Sequence, residues 1–263
     1  MPPTPPPEPS APDPGIDPAA DLPAGDLGRR LREAGGEELL AILHNETARL
    51  EVPAARQALR NPHCTAEVTE LLAGQPRLLA FYGLRRDLAL HPRTPEPLAL
   101  RFVPGLFWRD LVALGLDTRV WPRVRRAADQ HLAQRLPELA VGERVTIARR
   151  CGAGVLGQLR HDAQPRVIAA LLDNPRLTED LLYPVAHAPT TPAPVLALIA
   201  ADRRWGARYS LQNALARNPS TLLATALRLL PLLRKGELRG AAQDPRLAEA
   251  VRTRARLLLG EEP

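Results

Sequence analysis

The chain has 263 residues, 45% of them hydrophobic, enough to bury a core in one large domain or two small ones. Aromatics make up only 3%, which argues against a sandwich or barrel built on Tyr, Phe and Trp. Two cysteines, Cys64 and Cys151, cannot form a disulfide framework, and no apolar run approaches the roughly 18 residues of a membrane span. The charge is split along the chain. Residues 1–26 hold ten of the 29 prolines, five acids and no Lys or Arg, so residues 27–263 carry all 35 basic groups against 24 acids, +11 behind −5.

The first 26 residues contain no basic stretch followed by an apolar run, so they do not read as a secretory signal. With so little apolar surface to offset ordering entropy, residues 1–26 are expected to be a disordered, Pro-rich, acidic tail, partly polyproline II. With only two distant cysteines, the expected address is a reducing one, the cytoplasm.

From residue 58 onward a break recurs. An apolar segment ends in Asn-Pro or X-Pro, a Thr follows, and a new apolar segment begins. The copies are Asn61-Pro62 with Thr65, His91-Pro92 with Thr94, Asn174-Pro175 with Thr178, Ala188-Pro189 with Thr191, and Asn218-Pro219 with Thr221; Asp244-Pro245 lacks the Thr. The residue before proline is pushed out of the α region, so a helix must end there. The Thr predicts an N-cap for the next helix, and Pro95 and Pro192 fall where a first helical residue is expected.

Between breaks the apolar period is helical. Val195, Leu198 and Ile199 share a face, as do Leu223, Leu227 and Leu230, and Leu247, Val251, Ala255 and Leu258. This spacing predicts burial of Leu198 and Leu227. Segments of about 8–15 residues are marginal alone and need neighbours to cover their stripes. Strand alternation is absent and β-branched residues are scarce. The fold class is therefore all-α: a right-handed α-solenoid of short degenerate helical repeats over 27–263. Between Pro92 and Pro175 the motif lapses, and longer helix pairs are expected there; the segment Val120-Trp121-Pro122-Arg123-Val124-Arg125-Arg126 is followed by a helix to about Leu136.

The stretch Val185-Ala186-His187-Ala188-Pro189-Thr190-Thr191-Pro192 through Asp202, followed by Ala214-Leu215-Ala216-Arg217-Asn218-Pro219-Ser220-Thr221, resembles the leucine-rich repeat variant family. That family is similar to HEAT and armadillo solenoids, and its members are mostly uncharacterised bacterial proteins. The resemblance implies α-helices alternating with short 3₁₀ helices in a superhelix. Related proteins that add an iron–sulfur module have clustered cysteines; this chain has no such cluster, so no cofactor is implied.

Chemistry-bearing residues are sparse. None of His44, His63, His91, His131, His161 and His187 pairs with another at i, i+4, so no metal site is expected; His131, beside Val124, Ala128 and Leu132, reads as a boundary residue. Cys151 follows Arg149-Arg150, whose charge could lower a thiol pKa, yet precedes Gly152 at a helix end, where a small buried Cys is common. Gly152-Ala153-Gly154-Val155-Leu156-Gly157 follows no strand and reads as a loop between helices. Trp108-Arg109-Asp110 and Trp205 supply residue types used by HEAT-like DNA glycosylases, although Phe107, Trp108 and Trp121 also read as core fillers.

Of the 35 basic residues, 34 are Arg, and pairs recur at Arg85-Arg86, Arg125-Arg126, Arg149-Arg150 and Arg203-Arg204. Arg binds carboxylate and phosphate bidentately, so these pairs are the candidate binding residues. A GC-rich genome would also produce this composition. The expected function is a monomeric, non-catalytic scaffold that binds a protein partner along an extended face. A nucleic-acid or polyanion binder is the alternative, and a glycosylase-type enzyme the third reading.

Overall fold

In a computed structural model, which describes residues 25–261, the chain is all-helical, with no strand among the described residues. It forms two compact units that divide between Ala128 and Asp129. The first contains α1 (Asp26–Glu33), α2 (Gly36–Glu46), α3 (Val52–Leu59), α4 (Ala66–Ala73), α5 (Pro76–Leu79), α6 (Tyr82–Leu90), α7 (Glu96–Phe102) and α8 (Trp108–Leu116). The boundary falls inside α9 (Pro122–Arg135). The second contains α10 (Val141–Arg150), α11 (Ala153–Leu159), α12 (Pro165–Leu172), α13 (Glu179–His187), α14 (Ala193–Ala201), α15 (Tyr209–Ala216), α16 (Leu223–Leu229), α17 (Lys235–Gln243) and α18 (Glu249–Leu259). Short 3₁₀ helices occur at Thr47–Arg49, Val103–Gly105, Leu136–Glu138 and Leu230–Leu232. The expectation for the tail falls on residues of which 1–24 lie outside those described.

Because the helices are short, most are covered by a later one. In the first unit α1 packs on α3, α3 on α6, α6 on α8, and α2 on α4. In the second, α10 packs on α12, α12 on α14, α13 on α15, and α16 on α18. The cores are aliphatic: Leu31, Leu39, Leu72, Leu84, Leu88 and Leu111 in the first unit and Ile147, Leu171, Leu196, Leu211 and Leu215 in the second are fully or almost fully buried.

The asparagines of the Asn-Pro breaks join these layers. Asn61 donates its amide to the carbonyls of Leu31 and Ala34 at 2.9 Å, Asn174 to Ala148 (2.7 Å) and Cys151 (3.3 Å), and Asn218 to Ala186 (2.8 Å) and Ala188 (2.9 Å). Those carbonyls lie at or beside helix C-termini, where intrahelical partners run out. Each Asn Oδ1 meanwhile accepts the N–H two residues on, at His63, Arg176 and Ser220. A primary amide can do both at once, because it carries both a donor and an acceptor. At His91 the imidazole takes over, accepting the Arg93 N–H at Nδ1 and bonding the Leu59 backbone. At Asp202 the side chain only accepts, and the reaching-back passes to Trp205 Nε1, which donates to the Leu172 carbonyl at 3.1 Å.

An internal duplication underlies this regularity. Residues 82–128 and 209–255 align without gaps at an offset of 127, with identities that include Tyr82/Tyr209, Leu88/Leu215, Thr94/Thr221, Pro104/Pro231, Asp117/Asp244, Arg119/Arg246 and Val124/Val251. Helix bounds follow the same offset: α7 maps on α16, α8 on α17, and Val103–Gly105 on Leu230–Leu232. So do individual bonds. Tyr82 Oη accepts the Phe107 N–H at 2.9 Å and Tyr209 Oη accepts the Arg234 N–H at 2.9 Å. Arg119 clamps Asp117, and Arg246 clamps Asp244, each with contacts of 3.0 and 2.7 Å. Further upstream, Arg77 donates to the Thr47 carbonyl as Arg204 does to that of Asn174.

Several local expectations are corrected. Thr191 and Thr221 are not N-caps. The α14 cap is Pro192 and the α16 cap is Leu222, while Thr191 Oγ1 donates to the Val185 carbonyl and Thr221 Oγ1 is buried without a partner. Pro95 is likewise the cap position of α7 rather than its first residue. Thr65 and Thr178 do stand at N-caps, but without a side-chain cap bond. Leu198 and Leu227 are only half-buried; the covered positions are Val195, Leu196 and Ile199, and Ala226, Leu229 and Leu230. Val195, Ile199 and Leu230 keep to the expected stripes, while Leu196 is buried in place of Leu198, and Ala226 and Leu229 in place of Leu223 and Leu227, because two packing partners and not one define the buried arc. Leu223 is exposed. Residues 153–159 are helical rather than a loop: burial of Val155, Leu156 and Leu159 outweighs the low propensity of Gly154 and Gly157. Gly152 and Gly154 also admit Asp129, whose carboxylate would lie 3.0 Å from a Cβ at either.

Candidate interaction surface

Four of the nine aromatics fall in two adjacent pairs, Phe81-Tyr82 and Phe107-Trp108. They begin α6 and α8, two helices that pack together. Tyr82 is the anchor. Its hydroxyl accepts the Phe107 N–H and donates to the Asp110 carboxylate, and its ring lies 4.4 Å from the Phe107 ring, tilted by 47°. Burial, then the bond to Asp110, raises this phenol well above its usual range, so it stays a donor. With Tyr82 held, Phe107 and Phe81 remain outside, 41% and 47% exposed. Arg109 lies over the Trp108 ring at 5.2 Å and Arg85 over Tyr82 at 6.0 Å. The result is an exposed aromatic patch edged by guanidinium groups. Phe107 was expected in the core, as was Trp121, which is 47% exposed and donates Nε1 to the Thr94 carbonyl. The signal in the sequence was the spacing: the two aromatic pairs are one helical repeat apart.

The duplicated counterpart has opposite chemistry. Phe81, Phe107 and Trp108 correspond to Arg208, Arg234 and Lys235, while the anchoring Tyr209 is retained with Arg234 over its ring at 4.8 Å. One architectural position therefore presents aromatics in one unit and cations in the other.

The expected arginine pairs are spread out. Arg85 edges the aromatic patch, and Arg86 donates twice to Asp87 (3.1 and 2.9 Å). Arg125 is half-buried and Arg126 exposed on α9; Arg149 and Arg150 are exposed at the end of α10. Arg203 and Arg204 are both exposed, but Arg204 also stacks on Trp205 at 4.3 Å and donates to the carbonyls of Asn174 and Leu177. Arg86 and Arg204 thus serve the fold. The glycosylase-like residue types do not form one site either: Trp205 is 2% exposed and Asp110 is held by Tyr82.

In the second unit a cavity of about 280 Å³ is an open cleft lined by Leu136, Arg144, Gln158, His161, Asp162 and Gln164. Its charges compensate each other, with Arg144 Nε 2.8 Å from the Asp162 carboxylate. Both cysteines are buried. Burial pushes the Cys64 thiol up to about 11; burial and then Asp129 push Cys151 up to about 12, so the Arg149-Arg150 pair does not activate it. Among the described residues no group of three His, Cys, Asp or Glu side chains could hold a metal, and no helix is long and apolar enough to cross a membrane. No protein-family model, curated protein or solved structure matches the chain.

Proposed function

We propose that the protein is a non-catalytic, monomeric α-solenoid scaffold that binds a protein partner. The packing of most helices on a later one, and the four short 3₁₀ helices among the described residues, support the solenoid reading and the resemblance to the leucine-rich repeat variant family. Two buried free thiols fit a reducing, cytoplasmic setting. The observation that carries the binding reading is the exposed pair Phe81 and Phe107 beside Trp108, Arg85 and Arg109, in a chain with only nine aromatics. Trp, Tyr and Arg dominate the energetics of protein interfaces, and rigid rings lose little entropy on docking. The complementary partner is a peptide segment with an apolar or aromatic anchor flanked by acids.

Selection of displayed random peptides on the intact protein tests this. Apolar-acidic peptides are expected to emerge, and the double variant Phe81→Ser, Phe107→Ser should bind them at least tenfold more weakly with an unchanged thermal melt. Equal binding by the variant would overturn the reading. Polyanion binding is favoured instead by Arg208, Arg234 and Lys235 at the corresponding position in the second unit. Tight duplex or RNA binding that falls steeply with salt, and is lost when these three are neutralised, would identify it.

A further inference from the structure

We propose that the second unit carries a carboxylate-binding pocket between α13 and α15, which takes an Asp or Glu side chain or a chain end of a bound peptide. This site is independent of the aromatic patch.

The duplication shows what belongs there. In the first unit, the α3–α6 contact encloses a carboxylate of the chain itself: Asp87 accepts from Arg56 Nε at 2.6 Å and from Arg86 at 2.9 Å. At the offset of 127, Arg56, Arg86 and Asp87 become Tyr183, Asn213 and Ala214. The carboxylate is gone. In its place the second unit has a cavity of about 50 Å³ lined by Tyr183, His187, Asn213, Ala214, Arg217 and Arg246, with Pro219 at its edge.

The second unit also carries a guanidinium that the first lacks at this position. Leu90 in the first unit corresponds to Arg217, and Ala113 to Gly240. The missing Cβ of Gly240 is what admits the guanidinium: a Cβ there would lie 3.2 Å from an Arg217 terminal nitrogen and 3.4 Å from Cζ. Arg217 Nε is buried with no acceptor among the described residues, and Asn213 Oδ1 is buried with no donor. Leaving such groups unpaired is costly, because each has given up its hydrogen bonds to water. Asp244, whose carboxyl feels the Arg217 charge, is already clamped by Arg246 through two bonds, so two guanidinium groups share one negative charge. The pocket lacks one anion.

The two orphan atoms specify the ligand. Arg217 Nε needs an acceptor and Asn213 Oδ1 needs a donor, and the two residues line the same cavity. A peptide carboxylate with a neighbouring backbone N–H supplies both. A fully ionised phosphate carries no N–H for Asn213 Oδ1, so it answers only one of the two atoms. The stacked Tyr183 and His187 rings, 5.7 Å apart, form a wall for the rest of the peptide.

The test uses the intact protein and follows the Arg217 Nε–H signal by NMR, assigned by its loss in Arg217→Leu, the residue type of the first unit. Probes are sodium acetate, acetyl-Ala-Asp-Ala-amide, acetyl-Ala-Ala-Ala with a free carboxylate, and inorganic phosphate, all at constant ionic strength. Both peptides or one should shift the signal saturably, with acetate weaker, and a preference between them assigns the source as a side chain or a chain end. Arg217→Leu should weaken peptide binding at least tenfold, the scale of one charge-assisted hydrogen bond. Ala214→Asp restores the carboxylate of the first unit; it should abolish peptide binding and raise the melting temperature. Should Arg217→Leu fail to fold, Ala214→Asp decides. No saturable shift with any carboxylate, tighter binding of phosphate, or undiminished peptide binding by Ala214→Asp would overturn the assignment.

Discussion

Asn218 and Ala186 are joined across the α13–α15 contact: the Asn218 amide donates to the Ala186 carbonyl at 2.8 Å while its other hydrogen reaches Ala188. One side chain thus completes the end of a helix that finished some thirty residues earlier. Asn218→Ala should cost about 2–3 kcal/mol, because it leaves buried carbonyls unpaired. Asn218→His, which copies His91 in the first unit, should retain most of that stability. Urea denaturation midpoints check both.

The threonines of the break differ in role despite their shared motif. Thr94 is fully buried and its hydroxyl has no partner, whereas Thr191 Oγ1 donates to the Val185 carbonyl at 2.7 Å. Thr94→Val keeps the shape and removes an unpaired polar group, so it should raise stability by up to about 1 kcal/mol. Thr191→Val should lower it by about the same amount. Opposite shifts in melting temperature are the expected result.

Two glycines in the second unit are expected to respond oppositely to Ala. A Cβ on Gly206 would lie 2.6 Å from the Ala200 carbonyl oxygen and 2.8 Å from that of Asp202, both backbone atoms. Gly206→Ala should therefore cost about 1–3 kcal/mol. Gly157 lies within α11 with nothing near its Cβ position, so Gly157→Ala should gain up to about 1 kcal/mol of helix propensity. Thermal melts of the two variants check this.

Stability should fall at both ends of the pH range. The Arg246 guanidinium holds the Asp244 carboxyl at about 2, below its ordinary 3.8. Its contribution is complete above pH 3.8 and is lost as pH falls towards 2, so Asp244→Asn should be less stable at neutral pH and show a flatter acid limb. Burial raises the thiols from 9.0 to about 11 for Cys64 and about 12 for Cys151. Their contribution is complete below pH 9 and is lost as pH rises through those values. Denaturation midpoints from pH 2 to 11, with Cys151→Ala as the alkaline control, measure both limbs.

Asn61-Pro62, Asn174-Pro175 and Asn218-Pro219 made the helix ends legible in the sequence alone. The clash of a proline ring with the preceding residue is a property of one peptide unit and needs no knowledge of neighbours. The all-helical class followed from the apolar period for a similarly local reason. Which atoms face which was decided elsewhere. The expected stripe of Val195, Leu198 and Ile199 missed Leu196, which is buried where Leu198 is not, because α14 packs against two helices, α12 and α15, whose positions depend on the rest of the unit. The asparagine bridges, Phe107 on the surface, and the unpaired Arg217 beside Gly240 likewise arise from contacts between residues some 20 to 30 positions apart. Local rules place the breaks in this chain; only the packing of one repeat on the next determines what each break, ring and guanidinium group meets.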